Sequence, residues 1–251
     1  MGCDIHLFTE RRAAAGQPWE PFVVLTECGW CDKTGKNGRG EECDWCGGTG
    51  KRPGFDDRNY DTFAQLANVR NGRAFAGCDT GDGFDPIALQ RGLPEDLSPQ
   101  LRALWDLERA HSNDNYDAAL ANLGAWPGDH SASWLTLREL LDYRARMANR
   151  KSVHRGVLSW EEYLDWRTGE MGEPSEYCSG IFGSGSVTIC SKDAEELLRG
   201  SVPQDPSRVY VQVQWAVPYL STSRRFWEVF VPELSLCGDQ DNVRIVFDFD
   251  S

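Results

Sequence analysis

Met1-Gly2-Cys3-Asp4-Ile5-His6-Leu7-Phe8-Thr9-Glu10 opens the chain, and its alternation decides how the rest is read. Cys3, Ile5, Leu7 and Thr9 fall on one side of an extended strand, and Asp4, His6, Phe8 and Glu10 on the other. The first side is a core face. The second sets a carboxylate and an imidazole two residues apart, which suits a divalent metal or a general base with its orienting acid. The same side also reads as the water-covered half of a half-exposed strand.

The far end of the chain repeats the pattern. Val243, Ile245, Phe247 and Phe249 share one face, and Arg244, Val246, Asp248 and Asp250 the other. With both strands in one sheet, Asp4, His6, Asp248 and Asp250 meet on one surface, with Arg244 offsetting the acids. Alternatively the last acids only keep an exposed chain end soluble.

Thr136-Leu137-Arg138-Glu139 and Ser159-Trp160-Glu161-Glu162 are capping boxes, the first opening a helix that buries Leu137, Leu140, Leu141 and Met147, the second a helix to about Arg167. A short helix is expected over Phe63–Val69, with Asp61 as N-cap and Asn71-Gly72 as its stop. Ser98-Pro99 starts another, to about Ala110, with Leu101, Leu104 and Trp105 on its apolar face. Further helical segments are expected at Asp117–Leu123, Asp193–Arg199 and Phe226–Leu234, the last kinked or ended by Pro232. Phe22–Leu25 reads as the hairpin partner of the first strand, and Val187–Cys190 and Val209–Trp215 as strands. The stretches Arg11–Pro21, Gly77–Gly83, Trp126–Trp134 and Gly169–Gly185 read as loops, and Arg144–Arg155 as a basic, polar stretch. The expected architecture is a single α+β domain over residues 1–251, with a mixed, mainly antiparallel sheet holding both terminal strands, flanked by helices.

Nine cysteines is an odd count, and four form two Cys-x-x-Cys pairs, Cys28/Cys31 and Cys43/Cys46. Without a secretion signal, metal binding is favoured over a disulfide framework. Four thiolates suit a structural zinc in a zinc-ribbon-like hairpin inserted at residues 26–52, and they leave no open position for a substrate. Cys43-Asp44-Trp45-Cys46-Gly47-Gly48-Thr49-Gly50 resembles the zinc-binding repeat of the DnaJ chaperones, and the first half keeps Gly35 of that glycine pattern. The resemblance covers about twenty residues and implies a zinc hairpin, not chaperone activity.

The formal charge of −13 argues against broad nucleic-acid binding, because such a surface repels phosphate backbones. Apolar runs such as Ile245-Val246-Phe247 are too short to span a bilayer and no leader is evident, so a soluble, intracellular protein is expected. Met1-Gly2 lacks the Ser or Thr of a myristoylation signal, since His6 stands there.

Asp4, His6 and His130 are the candidate catalytic residues, with a second divalent metal at Asp4 and His6 as one option. In Asp129-His130-Ser131, adjacent residues on an extended chain point different ways, so His130 is assigned as a partner of the first strand rather than part of a local triad. Ten tryptophans are more than a core of this size needs, so some suit a flat ligand.

Across nearly its full length the chain resembles a family of phage and prophage proteins, particularly of actinobacterial hosts, that begin Met-Gly-Cys-Asp-Ile-His. The match rests on that opening with Glu10, on Arg58-Asn59-Tyr60 with Val69-Arg70-Asn71, on Arg91-Gly92-Leu93-Pro94, on His130-Ser131-Ala132-Ser133-Trp134-Leu135-Thr136-Leu137, and on Val243–Phe247. It implies no particular activity. From phage context, a nucleotide-like small molecule is the expected ligand, contacted by Arg58, Asn59, Tyr60, Arg70, Asn71, Arg91, Ser133, Trp134 and Asp248. Three functions compete: a hydrolase or lyase acting on a phosphorylated or nucleotide-like signal to counter the host, its sequestration without turnover, and inhibition of a host protein through the acidic surface or the zinc hairpin.

Overall fold

A computed structural model of the chain describes residues 3–73, 78–109, 123, 126–172, 174, 186–200 and 203–250. In chain order the elements are β1 (Ile5–Arg11), β2 (Glu20–Phe22), β3 (Leu25–Glu27), β4 (Lys51–Pro53), β5 (Phe55–Asp57), α1 (Tyr60–Ala67), α2 (Pro99–Arg109), β6 (His130–Thr136), α3 (Leu137–Met147), β7 (Lys151–Ser159), α4 (Trp160–Thr168), β8 (Val187–Cys190), α5 (Ser191–Gly200), β9 (Val209–Pro218), α6 (Val231–Ser235) and β10 (Val243–Phe249). This is the expected α+β arrangement: β1 and β10 pair antiparallel at the centre of a five-stranded sheet that also holds β2, β5 and β6.

Register sorts the terminal strands into two faces. Ile5 lies opposite Phe249, Leu7 opposite Phe247 and Thr9 opposite Ile245. This side packs on α1, α3 and the segment from Phe226 to Leu234, burying Phe63, Leu140, Trp227 and Phe230 completely. Full burial of each such side chain contributes about 1.5–3 kcal/mol. His6 lies opposite Asp248, Phe8 opposite Val246 and Glu10 opposite Arg244 on the other side.

That second side is not water-covered, as one expectation had it. Leu101, Leu104 and Trp105 of α2 pack on Phe8 and Val246, and every residue of β10 is buried. Arg244 is 2% exposed and Glu10 0%, so both charges need partners. Arg244 Nε donates to Glu10 Oε2 at 2.7 Å, and its Nη1 to Asp96 Oδ1 at 2.7 Å. The guanidinium also lies 4.0 Å from the Trp19 ring, whose Nε1 donates to Asp96 Oδ2. Glu10 Oε1 accepts Ser98 N–H at 2.9 Å, which fixes the start of α2.

A second sheet has the order β7-β9-β8, with β9 antiparallel to β7 and parallel to β8. α4 and α5 cover it through Trp160, Tyr163 and Ala194. The two sheets are tied by Gln65, whose Nε2 donates to Tyr219 O at 2.8 Å, and by Asp61 and His154, 4.0 Å apart. Burial pushes the Asp61 carboxyl up, against the pull of His154.

Local expectations held where capping chemistry was explicit: both capping boxes form, at Thr136/Glu139 and Ser159/Glu162. Others need correction. The N-cap of α1 is Asn59, not Asp61: its extended backbone lets Oδ1 accept from Asp61 N and Thr62 N. The helix stops at Asn68, which adopts φ +60, before Asn71-Gly72. The hairpin partner of β1 is Glu20–Phe22, while Leu25–Glu27 leaves to pair with Lys51–Pro53 at the base of the cysteine hairpin. His130 to Thr136 is a strand rather than a loop, and the end of the basic stretch starts β7. Arg225–Phe230 is a π-helical stretch: Val231 N–H bonds Phe226 O five residues back, and Pro232 enters α6 where no donor is needed. The helical expectation at 117–122 and most of the glycine-rich stretch at 175–185 lie outside the described residues.

Candidate functional site

The sheet end where β1 begins and β10 finishes gathers the acids and imidazoles. Asp4 N–H donates to Asp250 Oδ1 at 2.6 Å, and Asp250 N–H to Asp4 O at 3.2 Å, extending the strand pairing past Ile5 and Phe249. Arg58 grips Asp4 with two bonds of 2.6 Å, from Nε to Oδ1 and from Nη2 to Oδ2. Those bonds hold the Asp4 carboxyl below its ordinary range despite partial burial. His6 Nε2 lies 3.3 Å from Asp250 Oδ2, yet the buried nitrogen makes no aligned hydrogen bond. Cys3 is fully buried, and burial pushes its thiol up, leaving an inert core group.

Asp248, 2% exposed, is the deepest carboxyl of the cluster. Its Oδ2 accepts Trp105 Nε1 at 2.7 Å and its Oδ1 accepts Gly128 N–H at 2.8 Å. Burial nevertheless outweighs these donors and the nearby His6, pushing the carboxyl up to about 6. Gly128 is required there, because a Cβ would sit 2.3 Å from Phe249 O.

A cavity of about 340 Å³ opens beside Asp248, walled by Trp105, Glu108 and Arg109 of α2 and by residues 128–132. The register between β6 and β10 shifts between Phe247 and Phe249, and Ser131 adopts φ +57. The bulge turns two adjacent side chains toward each other: His130 Nδ1 lies 2.9 Å from Ser131 Oγ, and His130 Nε2 lies 3.2 Å from Asp250 O. His130 and Ser131 thus face each other, although sequence neighbours on an extended strand point different ways. The His130 ring also stacks on Phe249, at 6.1 Å and 22°.

Asp4, His6, His130, Arg58 and Asp248 therefore share one end of the sheet. Tyr60 and Arg70 stand near it and engage each other, with the Arg70 guanidinium 5.0 Å from the Tyr60 ring. The remaining candidates do not join them. Asn59 caps α1 and also donates to Thr222 O at 2.5 Å. Asn71 braces a turn, accepting Phe84 N–H and donating to Phe84 O, both at 2.7 Å. Arg91 bonds both oxygens of Glu139 and lies 5.0 Å from the Trp134 ring. Ser133 is buried and accepts Arg91 N–H at 3.2 Å. Trp105, Glu108, Gly128 and Ser131 were missed as site residues. Trp105 reads in sequence only as part of an apolar helix face, and the signal for Gly128 was the Trp-Pro-Gly-Asp turn.

Among the described residues, Cys28, Cys31, Cys43 and Cys46 are the group whose donor atoms lie close enough to share a metal ion, all within 4.8 Å of one another. At the other site proposed for an ion, both Asp4 oxygens accept from Arg58. Cys31 Sγ and Cys46 Sγ are 3.7 Å apart, far beyond a disulfide. Four thiolates at about 2.3 Å around a tetrahedral ion stand about 3.75 Å from each other, so the donor set fits such an ion.

The two knuckles are copies of one conformation. Cys28-Gly29-Trp30-Cys31-Asp32-Lys33-Thr34-Gly35-Lys36 aligns with Cys43-Asp44-Trp45-Cys46-Gly47-Gly48-Thr49-Gly50-Lys51. Asp32 and Lys33 take positive φ, where the second copy has Gly47 and Gly48. Thr34 and Thr49 each donate to the carbonyl three residues back, at Cys31 and Cys46. Gly50 N–H points to Cys46 Sγ at 3.3 Å. Trp30 and Trp45 stack in parallel, 4.7 Å apart and 4° from coplanar, while 67% and 54% exposed. No helix is long and apolar enough to cross a membrane among the described residues. No protein-family model, no curated protein and no solved structure matches the chain.

Proposed function

We propose that the cavity beside Asp248 binds a nucleotide-like small molecule and hydrolyses it, and that the four cysteines hold a structural zinc remote from this chemistry. The observation that carries the reading is the convergence of Trp105, Asp248 and His130 on one cavity, with His6 behind the carboxyl. Trp105 supplies a flat wall, Asp248 and Glu108 accept from amino and hydroxyl groups of a base and sugar, and Arg109 offers a cation to phosphate. A carboxyl titrating near 6 beside an imidazole provides both an acid and a base near neutral pH. The resemblance to phage proteins points to a host nucleotide signal as the substrate.

The test is incubation of the purified protein with a panel of nucleotides, following free ligand and products by chromatography beside Asp248→Asn and His6→Ala. Products that vanish in the variants support hydrolysis, and ligand recovered intact after heating means sequestration. If neither products nor recovered ligand are found, the small-molecule reading fails. A second reading, docking to a host protein, is favoured by the exposed Trp30–Trp45 stack. Trp30→Ala separates the two, because it weakens partner binding and leaves nucleotide turnover unchanged.

A further inference from the structure

Ser131 is an odd choice for its backbone conformation. Glycine, asparagine or aspartate suit φ +57 better, so the asset that serine brings is its hydroxyl. That hydroxyl lies 2.9 Å from His130 Nδ1, and both residues wall the cavity. The opposite nitrogen settles the tautomer. His130 Nε2 faces the main-chain oxygen of Asp250 at 3.2 Å, and a carbonyl only accepts, so Nε2 carries the proton. In the neutral ring Nδ1 then offers a lone pair to Ser131 Oγ. A hydroxyl, a neutral imidazole and a group that fixes the imidazole form the arrangement of an activated nucleophile, here with a backbone carbonyl as the orienting member.

We propose that Ser131 is a nucleophile with His130 as its base, and that the cavity cleaves an ester or activated acyl group on a molecule bearing amino or hydroxyl donors. The proposal rests on the cavity being the ligand site and deepens that reading by naming the bond attacked. Ser131 Oγ forms a bond to the acyl carbon, its proton passes to Nδ1, and the carbonyl electron pair moves onto oxygen, where Arg109 is the cation in the wall. Collapse breaks the bond to the leaving alcohol, which takes the proton from Nδ1. Water then adds to the acyl carbon, giving its proton to Nδ1, and Ser131 Oγ departs and recovers that proton. The net change is ester plus water to acid plus alcohol. Asp248 and Glu108, in the same wall, select for donor groups on the rest of the molecule.

The test treats the full chain with an alkyl fluorophosphonate, in which Ser131 Oγ displaces fluoride from phosphorus. The adduct is weighed by intact mass spectrometry and located by peptide mapping. One adduct per chain on Ser131 is expected, absent in Ser131→Gly and slowed by about 100-fold or more in His130→Gln. No adduct on the folded protein, an adduct on another serine, or labelling indifferent to His130→Gln would overturn the proposal. Calorimetry of the unlabelled wild type with nucleosides is the separate arm. Binding without labelling removes the nucleophile and keeps the pocket, whereas loss of both removes the pocket reading as well.

Discussion

Trp105 Nε1 donates to Asp248 Oδ2 at 2.7 Å, so the helix covering the polar face of the sheet is tied directly to the carboxyl at the cavity floor. The bond favours the ionised form, while burial favours the neutral one and prevails. Carbon-13 NMR of the Asp248 carboxyl is expected to show titration near 6, and Trp105→Phe, which deletes a donor, is expected to move it higher. The folded value stands above the ordinary aspartate value of about 3.9, so the stabilisation tied to this proton is complete below about pH 4 and is lost as pH rises through 6. Urea melts between those pH values read that slope.

Arg244 and Glu10 form a buried pair beneath α2. Removing one partner strands the other charge, so Arg244→Met is expected to cost about 3–5 kcal/mol in urea unfolding. The double variant Glu10→Leu/Arg244→Met is expected to lose less than Arg244→Met alone, because no orphan charge remains. A double loss equal to the sum of the two singles would show that Asp96 and Trp19, not the Glu10 contact, hold the guanidinium in place.

The internal repeat of the cysteine hairpin predicts asymmetric tolerance to glycine. Lys33 sits at φ +68 where its counterpart is Gly48, and a non-glycine residue in that region costs about 1–3 kcal/mol. Its exposed pair with Glu27 returns about 0–1 kcal/mol. Lys33→Gly is therefore expected to tighten zinc binding several-fold in competition with a chromophoric chelator. Gly50→Ala is expected to do the reverse, since its Cβ would lie 2.3 Å from Lys33 O. Stripping the metal is expected to loosen the hairpin, seen as a change in Trp30 and Trp45 emission, and to leave the five-stranded sheet folded.

At position 131 the two small replacements part company. Ser131→Gly relieves the backbone strain, whereas Ser131→Ala keeps it, so the glycine variant is expected to be more stable by about 1 kcal/mol in thermal melts. Equal stabilities would mean that the bulge relaxes once the hydroxyl is gone.

What could be read from the chain alone depended on how local the deciding physics is. Alternation in Cys3–Glu10 and Val243–Asp250 placed His6 and Asp248 on one face, and register confirmed them as direct neighbours. Caps at Thr136 and Ser159 follow from bonds spanning three residues, and they held. The cover on the polar face was not legible, because Trp105 reaches Asp248 only after α2 docks 143 residues away in sequence. The pairing of Ser131 with His130 depends on a bulge imposed by β10, which no pattern within residues 129–134 announces. Arg91 and Asn71 looked like ligand contacts by residue type, and in the structure they bond to Glu139 and Phe84.

The parallel Trp30–Trp45 stack makes the cysteine hairpin its own optical gauge. Two indoles 4.7 Å apart and 4° from parallel couple their electronic transitions, and each stands one residue before a cysteine of the four-sulfur cluster. Circular dichroism of the coupled indoles is therefore expected to change when the two knuckles separate, giving a readout of metal binding without dye, label or substitution.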